Sequence, residues 1–249
     1  MTLETKRTIV KRLKELSETL EDPAEDNADY DETDPYENPL KFLLAVIFDQ
    51  GIGYARAWRA PTQLEQRLGH LDLKKISQMK QKKLAAILSE YPALHRFNYT
   101  VAGWIIAASK LLLAKYDGQA ARIWHGKPTA VELEGRFREF KGIKQKKGSM
   151  AVNILVREYD LPISGGKAGI DVSNDVHVRR VFLRTGLSPK PTEEGIVNAA
   201  RQLNPGYPGA LDIPAWRVGH YWCHKNDPEC RRCPLDNICP KKFREVELD

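Results

Sequence analysis

A chain of 249 residues is long enough for one large domain or two small ones, and 42% hydrophobic with 29% charged residues excludes disorder throughout. Mean hydropathy is −0.49, and the longest unbroken apolar run, Phe42 to Phe48, is too short to cross a bilayer. The formal charge of +6 hides an asymmetry: residues 1–37 hold five Lys/Arg against twelve Asp/Glu, a net of −7, so the remainder carries +13. Such a balance favours a polyanionic partner, because each Lys or Arg set against a phosphate releases condensed counterion. The basic N-terminus lacks the apolar core and small-residue cleavage site of a secretory signal. An intracellular protein, cytoplasmic or nuclear, is therefore expected, with no membrane partner.

The periodicity is helical nearly throughout, and no run alternates as a strand does, so an all-α protein is expected. Residues 5–20 place Ile9, Leu13, Leu16 and Leu20 on one helical face, and residues 21–38, acidic and holding Pro23 and Pro35, read as a linker. A buried helix begins at Pro39, and Pro61-Thr62 and Asp72 each open a shorter one. Helices are then expected over 81–91, 98–116, 129–140, from Lys146 to about 158, and over 174–186, 192–203 and 212–222.

All four cysteines, Cys223, Cys230, Cys233 and Cys239, lie within seventeen residues in the spacing C-x6-C-x2-C-x5-C. Cysteine used as a small core residue would be scattered; four in one loop can converge on one centre. Two disulfides are disfavoured in an intracellular protein. Tetrahedral zinc usually sits between two short knuckles, and only Cys230 and Cys233 form one. The uneven loop suits a [4Fe–4S] cubane best, since its iron corners spread the sulfurs apart.

Between two of the helices lies FKGIKQKKGSMA, a glycine turn leading into a helix start, whose outward N–H groups suit a single phosphate. Lys141, Lys144, Lys146 and Lys147 surround it; an ordinary helical turn with solvated lysines is the plain alternative. Further on, Asp175 opens DVHVRRV after Ser173-Asn174, as an N-cap or first-turn residue with Arg179 four positions on. Alone, it needs no role beyond capping.

Taken together, the Lys-rich hairpin, the Asp-x-His segment and the C-terminal four-cysteine loop resemble the endonuclease III branch of the helix-hairpin-helix DNA glycosylases. The cysteine spacing matches that family's iron–sulfur loop residue for residue, and the resemblance runs over most of residues 39–240. It implies two helical lobes with DNA bound across the cleft. The expected division is 1–37, a helix and acidic linker packing with the C-terminal lobe; 38–158, a barrel-like lobe ending in the hairpin; and 159–249, the lobe with the cluster loop. Lys146 falls on the family's nucleophilic lysine and Asp175 on its essential aspartate. Gly142, Lys144, Lys147 and Gly148 fall on its DNA-contacting hairpin. Gln50 lies near a glutamine that enters the DNA stack, one residue out of register.

Two departures bear on the structure. Lys144 replaces the hairpin's second glycine, so either its φ is negative or the turn is strained. SGGKAG at 164–169 lengthens the path from Lys146 to Asp175 and leaves Asp171 as a rival acid. The implied activity is removal of a damaged or mispaired base from double-stranded DNA by a monomer. Lys146, with its ammonium pKa lowered by burial and by Lys144 and Lys147, would form an imine with the sugar and permit strand cleavage. The alternatives are a glycosylase that leaves the abasic site intact, with Asp175 directing water, and a non-catalytic binder of DNA structure.

Overall fold

A computed structural model describes residues 1–19 and 30–243. These contain eleven α-helices and no strand, only an isolated bridge between Thr129 and Ser164. In chain order the helices are α1 (Leu3–Thr19), α2 (Pro39–Phe48), α3 (Tyr54–Leu68), α4 (Leu73–Gln78), α5 (Gln81–Ser89), α6 (Asn98–Lys115), α7 (Ala130–Arg138), α8 (Gln145–Arg157), α9 (Val176–Arg184), α10 (Glu193–Leu203) and α11 (Asp212–Tyr221). None is long and apolar enough to span a membrane. Leu20 and residues 21–29 of the expected linker lie outside the described residues.

Two apolar cores organise the helices. The first is built around α2, whose residues Phe42 to Phe48 are all buried, and gathers Leu64, Leu84, Ile105, Leu112, Phe137, Phe140 and Leu155. Phe42 lies at its centre, with Trp58 and Trp124 rings each 5.6 Å away edge to face. The second joins Ile9, Leu13 and Leu16 of α1 to Val178, Phe182, Ile196, Leu211, Val218 and Leu235. Leu161 and Ile170 still pack into the first core and Val172 into the second, so the chain changes cores between residues 170 and 172.

Pro61 does not open a helix. It is buried inside α3, which begins seven residues earlier at Tyr54. The stripe Ala57, Trp58, Ala60, Pro61 and Leu64 faces the first core, and its burial outweighs the one backbone hydrogen bond that proline removes. Asp72 does cap α4, accepting from the N–H groups of Lys74 and Lys75. Thr129 and Glu132 form a reciprocal capping box at the start of α7.

Candidate active site

The hairpin joining α7 to α8 turns at Gly142, whose φ of +86° lies in the left-handed region. A Cβ there would stand 2.5 Å from the Trp104 ring, so glycine is required both by the turn and by the indole beneath it. Ile143, buried, donates its N–H to Phe140 O at 3.0 Å and closes the turn. Lys144, the N-cap of α8, has φ −111°; the lysine in place of the second glycine therefore carries no left-handed strain.

The next residue, Gln145, sets the site. It is buried and reaches out of the first turn of α8 to the segment before α9. Its Nε2 donates to Val172 O at 2.8 Å, and its Oε1 accepts from Asn174 N–H at 3.0 Å. This two-way bond pins residues 172–174 against the hairpin and places Asp175 opposite Lys146. Lys146 Nζ then lies 3.1 Å from Asp175 Oδ2 and 3.7 Å from Asp49 Oδ2, with its side chain one-third exposed. Asp175 also caps α9, its Oδ1 accepting the His177 N–H at 2.8 Å.

The electrostatics differ from the sequence expectation. Burial pulls the Lys146 ammonium down, but Asp49, Asp175 and the more distant Asp212 outweigh it and hold its pKa above the usual lysine value. Lys146 is thus a cation in the free protein, and Lys144 and Lys147 do not set its charge. Burial likewise pushes the Asp175 carboxyl up, but Lys146 and the His177 N–H bring it below the usual range. Asp212 is buried and pushed up to about 6 by desolvation, although Ser173 donates its N–H at 2.8 Å and its hydroxyl at 2.7 Å.

Lys147, expected to face phosphate, is instead buried. Its Nζ donates to Ile47 O at 3.0 Å and lies 5.1 Å from the Trp104 ring centre; desolvation brings its pKa down to about 8. The helical period explains this: a residue next to Lys146 points about 100° away, here into the α2–α8 contact. Gly148, also expected at DNA, is buried against α7, where a Cβ would come 3.0 Å from Glu134 Cγ. Lys141, Lys144 and Gln50 are exposed. Asp171 is engaged elsewhere, in a two-point ion pair with Arg201 at 2.7 and 2.8 Å. Asp49, Gln145, Ser173 and Asp212 carried no sequence signal as site residues, since each acts only through a contact between distant segments.

An aromatic wall begins at His177, whose N–H is bonded to Asp175. Tyr54 of α3 meets Trp216 of α11 edge to face at 5.3 Å, joining the two cores, while Trp216 stacks on His220 at 4.7 Å and His177 lies 6.0 Å from Trp216.

The four cysteines are unpaired as disulfides and line one small cavity between α9, α11 and the C-terminal loop. Arg184 organises that loop: it donates to His224 O at 2.6 Å, to Lys225 O at 2.8 Å and to Cys223 Sγ at 3.5 Å. Lys241 N–H points to Cys239 Sγ at 3.4 Å. Burial, then the neighbouring sulfurs, push the Cys233 thiol up to about 11, so four thiolates would require a cationic centre. This donor set, with main-chain and guanidinium donors aimed at sulfur, fits an iron–sulfur cluster. Among the described residues no three His, Cys, Asp or Glu side chains form a site for a single metal ion. Of the loop's basic residues, Arg232 is paired with Glu229 at 2.7 Å and Lys241 with Asp236 at 2.6 Å; Lys225 and Arg231 are exposed.

No protein-family model and no curated protein matches the chain. Solved structures do match over nearly its whole length. A non-covalent endonuclease III–DNA complex superposes with a TM-score of 0.68 at 17% identity, covering 97% of this chain and 96% of the other. A trapped endonuclease III–DNA covalent intermediate gives 0.65 at 17% identity, covering 97% of each chain. A thermostable thymine-DNA glycosylase gives 0.65 at 13% identity, covering 98% of each. The chain thus shares its all-helical fold with endonuclease III and with this thymine-DNA glycosylase.

Proposed function

We propose that the protein is a DNA glycosylase of base-excision repair that forms an imine with the sugar of the excised nucleotide and can then cleave the strand. The observation that carries this reading is the 3.1 Å contact between Lys146 Nζ and Asp175 Oδ2. An ammonium and a carboxylate in hydrogen-bond reach become a nucleophile and its base once the proton passes between them. The likeness to a trapped endonuclease III–DNA covalent intermediate supports it at the level of fold.

The base must leave the stack to be reached, at a cost of about a few kcal/mol that is smallest for a damaged or mispaired one. The aromatic wall of Tyr54, Trp216 and His177 supplies faces for it. Lys146 passes one proton to Asp175, and its lone pair forms the Nζ–C1′ bond while the glycosidic bond breaks with its electrons on the departing base. As the glycosidic bond begins to lengthen Asp175 is still charged and stabilises the positive charge that develops on the sugar; it takes the Lys146 proton only as the Nζ–C1′ bond closes. The C1′-bound ammonium gives a second proton to the departing base, and the freed Nζ lone pair forms the C1′=N bond as C1′–O4′ breaks with its electrons on O4′, which takes the proton held by Asp175; an iminium remains at C1′. Loss of a C2′ proton then expels the 3′-phosphate. The exposed Lys141 and Lys144, with the N-terminus of α8, hold the backbone. Cys223, Cys230, Cys233 and Cys239 would hold a [4Fe–4S] cluster, which supplies a rigid tie for the loop carrying Lys225 and Arg231.

One observation favours a second reading. Three carboxylates keep Lys146 protonated in the free protein, which suits a phosphate-binding cation beside an Asp175 that directs water and leaves the abasic site intact. Borohydride added during turnover separates the two. A covalent protein–DNA adduct that disappears in Lys146→Gln supports the imine, whereas base release without any adduct supports the second reading. No base release from a panel of oxidised, deaminated, alkylated and mismatched duplexes would overturn both.

A further inference from the structure

Asp49 is a buried carboxylate, 7% exposed, at the C-terminal end of α2. That is an unfavourable place for negative charge: the last carbonyls of α2 present the negative end of the helix dipole, burial penalises an unpaired ion, and the last turn has no basic residue. Its own N–H is spent on Ala45 O at 3.0 Å. Compensation comes from α8, where two consecutive lysines straddle the end of α2. Lys147 donates to the main-chain carbonyl of Ile47 at 3.0 Å, and Lys146 stands 3.7 Å from the Asp49 carboxylate. With Trp104 packed against Lys147 at 5.1 Å, the backbone of α8 is held and the Lys146 side chain is left directed along the line between Asp49 and Asp175.

We propose that Asp49 is a positioning residue for the nucleophile: it clamps the Lys146 amine against the end of α2 and keeps the proton on it until DNA enters the site. The inference rests on the imine reading of Lys146. The reaction uses Asp175 as proton acceptor, so a second carboxylate on the same ammonium has no part in bond making. Its effect is to restrict the lysine, whose four-carbon stem is otherwise free to sweep, to one side of the site, and to hold its charge. The charged groups facing Lys146 are Asp49 at the end of α2, Asp175 at the start of α9, Asp212 of α11 at longer range, and Lys147 beside it on α8. The carboxylates together outweigh burial in setting its charge.

The test uses the full-length, cluster-loaded protein and a duplex with a pre-formed abasic site, which requires no base release. The rate of borohydride-trapped adduct is followed in single turnover between about pH 5 and 10 for wild type, Asp49→Asn and Asp49→Glu. In Asp49→Asn the acid limb is expected to move down by about one pH unit, because an opposing charge has been removed. Its plateau is expected to fall several-fold, because the amine is no longer held. Asp49→Glu, which keeps the charge, should restore the limb. An unmoved limb with an intact plateau in Asp49→Asn would overturn the proposal. Reductive methylation of Lys146 in DNA-free protein, read by mass spectrometry across the same pH range, gives an independent profile that should shift in the same direction. If Asp49→Asn does not fold, Asp49→Ser is used in both assays. Absence of any wild-type adduct would overturn the imine reading, while the methylation profile would still decide whether Asp49 governs Lys146.

Discussion

Gln145 and Val172 are joined by a buried 2.8 Å hydrogen bond across 27 residues of chain, and this bond sets the register of the whole site. It ties the first turn of α8 to the extended segment that delivers Asp175. With the return bond from Asn174 N–H, it determines how far Asp175 stands from Lys146. Gln145→Ala should leave that N–H and the Val172 carbonyl without partners and cost about 2 kcal/mol or more. Denaturant unfolding measures the loss. Single-turnover base release should fall with it, even under conditions where the variant remains fully folded.

Gly142 is expected to tolerate no side chain. Gly142→Ala places a Cβ in the left-handed region and 2.5 Å from the Trp104 ring. Strain and overpacking together should cost about 2 kcal/mol or more. Because the turn itself would shift, weaker binding to abasic-site DNA should accompany the lowered thermal midpoint. Unchanged stability and affinity would show that the hairpin has slack that its packing does not reveal.

The two neighbouring lysines Lys144 and Lys147 should separate cleanly. Lys144→Ala should reduce the slope of log K against log salt by about one unit without affecting stability. Lys147→Met should leave the slope unchanged, because the buried ammonium meets no phosphate. Its titration shows in stability instead. The folded-state pKa of about 8 lies below the ordinary 10.5, so the unfolded chain binds more protons between those values. Wild-type stability should therefore rise with pH across that window relative to Lys147→Met.

Asp175→Asn keeps size and capping ability but removes the charge next to Lys146. Base release is expected to slow by about 10²–10⁴-fold, while the variant still folds but with a lowered thermal midpoint near neutrality, since the contribution of the charged carboxylate is gone. The folded pKa of Asp175 is depressed below 3.8, so its contribution is present above that value and lost as pH falls through the lower folded pKa. Below about pH 4 the wild type should lose stability more steeply than the variant.

Protein prepared anaerobically should be brown and carry iron and sulfide. Cys230→Ser or Cys233→Ser should lose both and loosen the loop that Arg184 organises, seen as a lower thermal midpoint. Stoichiometric zinc without iron or sulfide would overturn the cluster assignment.

The all-helical class was legible in the sequence because helical periodicity is local: Ile9, Leu13 and Leu16 share a face whatever they pack against. So was the cysteine loop, where all the donors lie within one short segment. The caps at Asp72, Thr129 and Asp175 were equally readable, as each concerns only the next few residues. The place of Pro61 inside α3 was not, because the buried stripe that outweighs a missing hydrogen bond is a tertiary quantity. The pair Lys146 and Asp175 could be marked through a family resemblance, but their charge states could not. Those depend on Asp49, which arrives from 97 residues away, and on Asp212, held beneath Ser173. Similarly, four lysines in one turn look equivalent in sequence. Two lie exposed, one faces the carboxylates and one is sealed against α2, and the rotation of α8 against its neighbours alone assigns those roles.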